Sequence, residues 1–165
     1  MFDNHLTTFP ACVWGLPQLT NLYLSSNALT QLPTMADAPS PLISLYLGDN
    51  MLPRLPDNFG QFRHLTYLNL ARNRLSTLPQ DIGLLSHLRV ADFQNNMLSE
   101  LPSSMAKLQS LSRLRMSYNM LASANTTSVL SQLLGLEELG LAGNRCAHDV
   151  CVCVCVCVCV CVCVC

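Results

Sequence analysis

Cysteine is scarce in residues 1–149 of this chain, which contain only Cys12 and Cys146. The other eight cysteines all lie in Val150–Cys165, where they alternate with valine. Too few cysteines remain for a disulfide framework in the body of the chain, and their scarcity favours a reducing, cytoplasmic setting. The first ten residues also lack the basic and apolar regions of a secretory signal peptide.

Charge and long apolar runs are also limited. The net charge is −1 and only 12% of the residues are charged, so the chain has no general attraction for nucleic acids or anionic membranes. No stretch reaches the roughly 20 apolar residues of a membrane-spanning helix. A nucleophile elbow, a Walker loop and an HExxH motif are all missing from the sequence. We therefore predict no enzymatic activity, no cofactor, no nucleic-acid partner and no membrane span.

The chain does contain a strict repeat. In Leu65–Pro79, LTYLNLARNRLSTLP, apolar residues occupy positions 1, 4, 6, 11 and 14, asparagine position 9 and proline position 15. Five further copies of this frame, complete or partial, start at Leu19, Leu42, Leu88, Leu111 and Leu136. The position-9 asparagines are spaced by 23 residues, and the last by 25: Asn27, Asn50, Asn73, Asn96, Asn119 and Asn144. A period in the low twenties with this spacing is typical of leucine-rich repeats.

The repeat predicts an α/β solenoid: a horseshoe with a parallel β-sheet on its concave face and short helical or 3-10 turns and loops on its convex face. Positions 4 and 6 should point inward from short strands, and positions 3 and 5 outward onto the concave face. The asparagines should be buried and form a ladder, because each can hydrogen-bond the backbone of its own turn and of a neighbouring repeat.

The connections between repeats differ in sequence. Residues 57–64, 80–87 and 103–110 each carry two apolar residues three apart, which favours a single helical or 3-10 turn. Residues 34–41 contain Pro39 and Pro41, which favour an irregular loop. The longer connection through 128–135, SVLSQLLG, should form a fuller helix.

We divide the chain into three parts. Residues 1–18 are a truncated first repeat, because Asn4 falls 23 residues before Asn27 and no polar capping unit precedes it. Residues 19–145 form the leucine-rich-repeat solenoid. Residues 146–165 are a low-complexity tail. We expect the chain to be a fragment, or to have a misassigned start.

The tail alternates cysteine and valine without exception from Val150. A translated TG dinucleotide tract, read as TGT GTG, would give this pattern. We expect the tail to be disordered or to be read-through of an intron beginning near Cys146. A metal-binding tract is the alternative, since thiolates bind soft metals, although the tail lacks the paired CxxC spacing of defined zinc sites.

Aromatic and charged residues are predicted to gather on the concave face. Tyrosine and arginine are enriched in binding hot spots. The predicted partner-binding residues, from positions 3, 5 and 8, are Tyr23, Tyr46, Tyr67, Arg72, Asp92, Arg113, Arg115 and Tyr118. The first three would form an aromatic platform, with Arg113 and Arg115 as a second anchor. Alternatively these are ordinary strand residues, and Asp92 simply pairs with Arg115 across strands.

The full unit LTYLNLARNRLSTLPQDIGLLSHL, from Leu65, resembles the 23-residue intracellular repeats of the Ras-suppressor and Scribble-like group. The likeness covers about residues 2–145. It implies a cytoplasmic scaffold in signal transduction that binds another protein, with no prediction of oligomeric state. The repeats of some protein phosphatases, kinases and adenylate cyclases are similar, so a regulatory segment of a larger signalling enzyme stays open.

Overall fold

A computed structural model of the chain describes residues 4–34, 40–122 and 124–145. Six three-residue strands form one parallel sheet in sequence order. They are β1 (Asn21–Tyr23), β2 (Ser44–Tyr46), β3 (Tyr67–Asn69), β4 (Val90–Asp92), β5 (Arg113–Arg115) and β6 (Glu138–Gly140). Equivalent residues pair across each step, as Leu45 does with Leu68. The sheet is open and the turns opposite it are short, which confirms the predicted solenoid.

The convex side consists of short turns, as predicted. 3-10 turns occupy Phe59–Gln61, Gln80–Leu84 and Ser103–Lys107, and another at Ala11–Gly15 precedes the first strand. The loop predicted around Pro39 lies largely outside the described residues. Thr34, Ser40 and Pro41 at its ends have no regular structure.

One α-helix, α1 (Ala124–Leu130), lies in the connection before β6. It starts four residues earlier than the predicted 128–135 and is followed by turns. Two side chains hold this early first turn. The Asn125 amide donates a 2.7 Å hydrogen bond to the carbonyl oxygen of Leu101, and Thr126 is buried. Contacts with the preceding repeat therefore decide where the helix begins.

The core is a continuous stack of apolar side chains running from Phe9 to Leu141. Positions 4 and 6 point into it, and Leu45 and Leu47 are fully buried. Aromatic packing closes the first repeats: Phe9 stacks on Trp14 with ring centroids 4.1 Å apart, and Trp14 meets the edge of Phe62 at 5.0 Å.

Each interior asparagine bridges two repeats. Asn96 Nδ2 donates to the carbonyl oxygens of Leu70 in the preceding repeat and Phe93 in its own, both at 3.0 Å. Its Oδ1 accepts from the Leu75 N–H at 2.9 Å. The same three kinds of bond occur at the other interior positions, Asn50, Asn73 and Asn119.

The two outer asparagines have different surroundings. Asn27 accepts from the Leu6 N–H at 3.1 Å and donates within its own turn. Asn144 makes all three kinds of bond but is only half-buried. All six asparagines that the sequence singled out therefore lie where they contact backbone groups of the turns.

A second inter-repeat contact lies on the convex side. The Gly60 N–H donates a 2.6 Å hydrogen bond to Oδ2 of Asp81 in the next repeat. A Cβ on Gly60 would overlap the Asp81 backbone carbonyl oxygen. The repeats approach so closely here that this position requires glycine.

Candidate protein-binding surface

Three tyrosines from adjacent strands form a stack on the concave face. Tyr23 and Tyr46 are register partners at position 5, and Tyr67 stands at position 3 of the next strand. The ring centroids of Tyr23 and Tyr46 are 4.5 Å apart at 15°, and those of Tyr46 and Tyr67 are 4.7 Å apart at 31°. The structure thus brings these three predicted site residues together. We refer to Tyr23, Tyr46 and Tyr67 as the tyrosine stack.

The stack changes the chemistry of its central phenol. Burial raises the pKa of Tyr46, and the neighbouring phenols of Tyr67 and Tyr23 raise it further by disfavouring another negative charge. The Tyr46 hydroxyl thus keeps its proton to higher pH than an ordinary tyrosine, and in this form it can both donate and accept a hydrogen bond. The three rings pack against one another, so this surface combines a rigid aromatic part with polar hydroxyl groups.

A cluster of opposite charges occupies the other end of the sheet. Arg115 Nε donates a 2.9 Å hydrogen bond to Glu138 Oε1, and Arg115 Nη1 lies 4.0 Å from Asp92 Oδ2. Arg113 lies 3.6 Å from the second oxygen of Glu138. The hydrogen bond to Glu138 is the main reason that the Arg115 pKa is raised. The cross-strand contact between Asp92 and Arg115 is therefore present, as one of our two interpretations expected.

Sequence reasoning missed Glu138, which partners both arginines. It stands at position 3 of the sixth repeat, directly beside Arg113 in the sheet register. Extending the position-3 column by one repeat would have found it. The arginines are therefore not free anchors, and a carboxylate on a partner would have to compete with Glu138.

The position-8 residues lie just beyond the strands. The sequence pattern placed Arg72 and Tyr118 in a column of the concave face, but both have positive φ, at 54° and 58°, in the turn after the strand. Arg72 Nη1 lies 3.6 Å from Asp49 Oδ1, and both side chains are exposed. Tyr118 is 60% exposed, and its ring lies against Gly143. Both residues therefore follow the three-residue strands in sequence and are exposed to solvent.

The described residues also set limits on the site. They contain no group of three or more histidines, cysteines or acidic residues that could hold a metal ion. None of the helices within those ranges is long and apolar enough to cross a membrane. The cysteine-rich tail lies outside the described residues. Its disorder, and the alternative that it is a metal-binding tract, therefore stay predictions.

Residues 53–152 match the sequence profile of a leucine-rich repeat region. The chain belongs to the leucine-rich-repeat family. No curated protein sequence matches this leucine-rich-repeat chain. The match does not distinguish the Ras-suppressor and Scribble-like group from other members.

Solved leucine-rich-repeat structures resemble the chain over most of its length. A leucine-rich-repeat protein of Leptospira interrogans has a TM-score of 0.64 and 26% identity, over 82% of this chain and 40% of that one. Toll from Drosophila, in its complex with Spatzle, has a TM-score of 0.76 and 27% identity, over 85% of this chain and 19% of that one.

The functional domain of InlJ from Listeria monocytogenes is a third similar structure, with a TM-score of 0.62 and 26% identity. The match covers 76% of this chain and 25% of that one. InlJ includes a cysteine ladder, whereas asparagines repeat at position 9 here. The chain spans 40% or less of the length of each of these three proteins.

Proposed function

We propose that this leucine-rich-repeat chain is an interaction module that binds a signalling protein on its concave sheet. The observation that carries this proposal is the tyrosine stack. Tyrosine contributes large, amphipathic contact area and is enriched in binding hot spots. Because the three rings already hold one another, binding would immobilise little additional side-chain freedom.

The charged cluster would form the second half of the interface. Tyr46 and Arg115 share position 5 but lie three strands apart, about 14 Å at the usual strand spacing of about 4.8 Å. One partner segment could contact both. The exposed pair of Arg113 and Glu138 would contribute mainly to orientation, since ion pairs at the edge of an interface add little affinity.

One of the similar structures supports binding of a protein. Toll is held in a complex with Spatzle. By analogy, we propose a protein partner here. The resemblance to the Ras-suppressor and Scribble-like group supports a scaffold in signal transduction, and the scarcity of cysteine in residues 1–149 supports a cytoplasmic location.

A regulatory segment of a larger signalling enzyme is the second candidate. The repeats of some phosphatases, kinases and adenylate cyclases have a similar form. Both candidates assign binding to residues 19–145, with 1–18 as a partial repeat and 146–165 outside the binding unit. Both predict that this chain binds without catalysing a reaction.

Photocrosslinking tests the proposed surface. In one variant a photoreactive phenylalanine replaces Tyr46 on the concave face. In the control variant it replaces Lys107 on the convex face. Proteins crosslinked to each variant are identified by mass spectrometry. We expect a discrete protein to be crosslinked from position 46 and not from position 107. The additional change Tyr67→Ala should reduce that product. Equal products from both positions would reject the concave surface as the binding site.

A further inference from the structure

A row of exposed methionines runs beside the concave sheet. Position 10, directly after each buried asparagine, carries Met51, Arg74, Met97 and Met120 in four successive repeats. The methionines are 42%, 48% and 42% exposed, and Arg74 is also exposed. We call these four residues the methionine rim. None of the four belongs to the tyrosine stack, whose ring contacts join only Tyr23, Tyr46 and Tyr67.

Backbone hydrogen bonds fix the spacing of the methionine rim. The N–H groups of Met51, Met97 and Met120 each donate a 2.9 Å bond to the position-11 carbonyl oxygen of the preceding repeat, and Arg74 makes the same bond at 3.0 Å. Successive rim residues are therefore one repeat apart, about 4.8 Å, and the row is about 14 Å long.

This spacing matches one face of an α-helix. With a rise of about 1.5 Å per residue, helix positions i, i+3, i+7 and i+10 lie at about 0, 4.5, 10.5 and 15 Å. The four rim residues lie at about 0, 5, 10 and 14 Å along the row. A helix lying along the rim would therefore place one side chain opposite each rim residue, all on the same helix face.

The chemistry of the rim specifies which side chains would fit. Methionine is flexible and polarizable, and it adapts to apolar side chains at binding surfaces. Arg74, between Met51 and Met97, has no ion pair within the described ranges. A carboxylate at i+3 or i+4 of the bound helix would complement this cation, while apolar side chains at i, i+7 and i+10 would cover the methionines.

The helix of a second copy does not fit this description. Helix α1, the α-helix of the described chain, has seven residues, and it spans only about 10 Å. Its sequence, ANTTSVL, contains no acidic residue. We propose that the methionine rim docks an acidic amphipathic helix from a different protein, separately from any ligand of the tyrosine stack.

A designed peptide tests this proposal with the full chain. The probe is a fluorescently labelled helical 18-mer with leucine at i, i+7 and i+10 and glutamate at i+3 and i+4. Its anisotropy is measured against the wild type and the Arg74→Glu and Arg63→Glu variants. Arg63 is exposed but follows the 3-10 turn Phe59–Gln61, away from the rim. Far-UV circular dichroism checks that each variant is folded.

We expect saturable binding to the wild type and to Arg63→Glu, and binding at least about tenfold weaker to Arg74→Glu. A peptide with lysine in place of glutamate should show the reverse preference. Bound peptide should also protect Met97 and Met120 from oxidation by peroxide. No binding up to about 1 mM, or equal binding of the glutamate and lysine peptides to the wild type, would overturn the proposal.

Discussion

Asn73 Nδ2 donates a 2.9 Å hydrogen bond to the carbonyl oxygen of Leu47, 26 residues earlier in the chain. The same amide donates to Leu70 in its own repeat, and Asn73 Oδ1 accepts from the N–H of Leu52. One buried side chain therefore satisfies backbone groups of two neighbouring repeats. Apolar burial alone would not fix this register, because it has no direction.

Asn73→Ala should strongly destabilise the array. Several buried backbone groups would lose their partner, each at about 1–3 kcal/mol, so we expect the free energy of unfolding to fall by about 3 kcal/mol or more. Urea denaturation measures the change. Asn144→Ala is the matched control, because Asn144 is half-buried and water can replace its bonds; its loss should be about 1 kcal/mol. Equal losses at both sites would contradict this explanation.

Gly60→Ala should destabilise the chain through a steric clash. The added Cβ would overlap the carbonyl oxygen of Asp81 in the adjacent repeat, so we expect a loss of about 2–3 kcal/mol in the free energy of unfolding. At Gly15 a Cβ meets no atom within 4 Å, and Gly15→Ala should change stability by less than about 1 kcal/mol. Thermal and urea denaturation of both variants compare the two sites directly.

The contribution of Asp81 to stability should fall as the pH rises. Burial raises its pKa above the ordinary 3.8, and the Gly60 N–H only partly opposes this. The folded state therefore binds the Asp81 proton more tightly than the unfolded state, so the contribution of Asp81 to stability is fully present below 3.8 and is lost as the pH rises through the raised pKa.

Asp81→Asn provides the comparison, because the amide oxygen still accepts from Gly60 but cannot ionise. The stability of the wild type minus that of the variant should decrease between about pH 3 and pH 7. Urea titrations across this range measure the difference. A difference that is constant with pH would show that the ionisation of Asp81 is not linked to folding.

Tyr46 should ionise late in an alkaline titration. Its pKa lies above 10.0 because of burial and the adjacent phenols. Absorbance at about 295 nm, which follows phenolate formation, should keep rising above pH 10, and Tyr46→Phe should remove the component at highest pH. Tyr118→Phe is the control, since this ring lies outside the tyrosine stack. If both variants lose the same component, the stack does not perturb Tyr46.

The repeat predicted the strands and the 3-10 turns because every unit must bury the same positions against its neighbours. The same type of residue recurs at the same position of successive repeats, so the period carries information that a single unit does not. The beginning of α1 could not be predicted in this way. It depends on Asn125 contacting the carbonyl oxygen of Leu101, and Asn125 stands at position 15, where the four preceding repeats have proline.

The candidate site was only partly predictable. Columns of equivalent positions brought the tyrosine stack together, because side chains at positions 3 and 5 share one face of the sheet. They also suggested free arginines, since the columns were read only as far as the fifth repeat and omitted Glu138. Position 8 needs a separate argument, because the strand alternation ends before it and the backbone there turns left-handed; the binding roles of Arg72 and Tyr118 stay a prediction.

The left-handed turn at position 8 has a consequence for the stability of this chain. Non-glycine residues occupy it in five repeats, at φ of 53–58°, although this conformation costs such residues on the order of 1 kcal/mol each. They are Ser26, Asp49, Arg72, Asn95 and Tyr118. Only the sixth repeat has glycine there, Gly143. Varied side chains at position 8 therefore come at the cost of backbone strain. A version of this protein with glycine or asparagine at all six turns would be more stable but would lose these varied side chains.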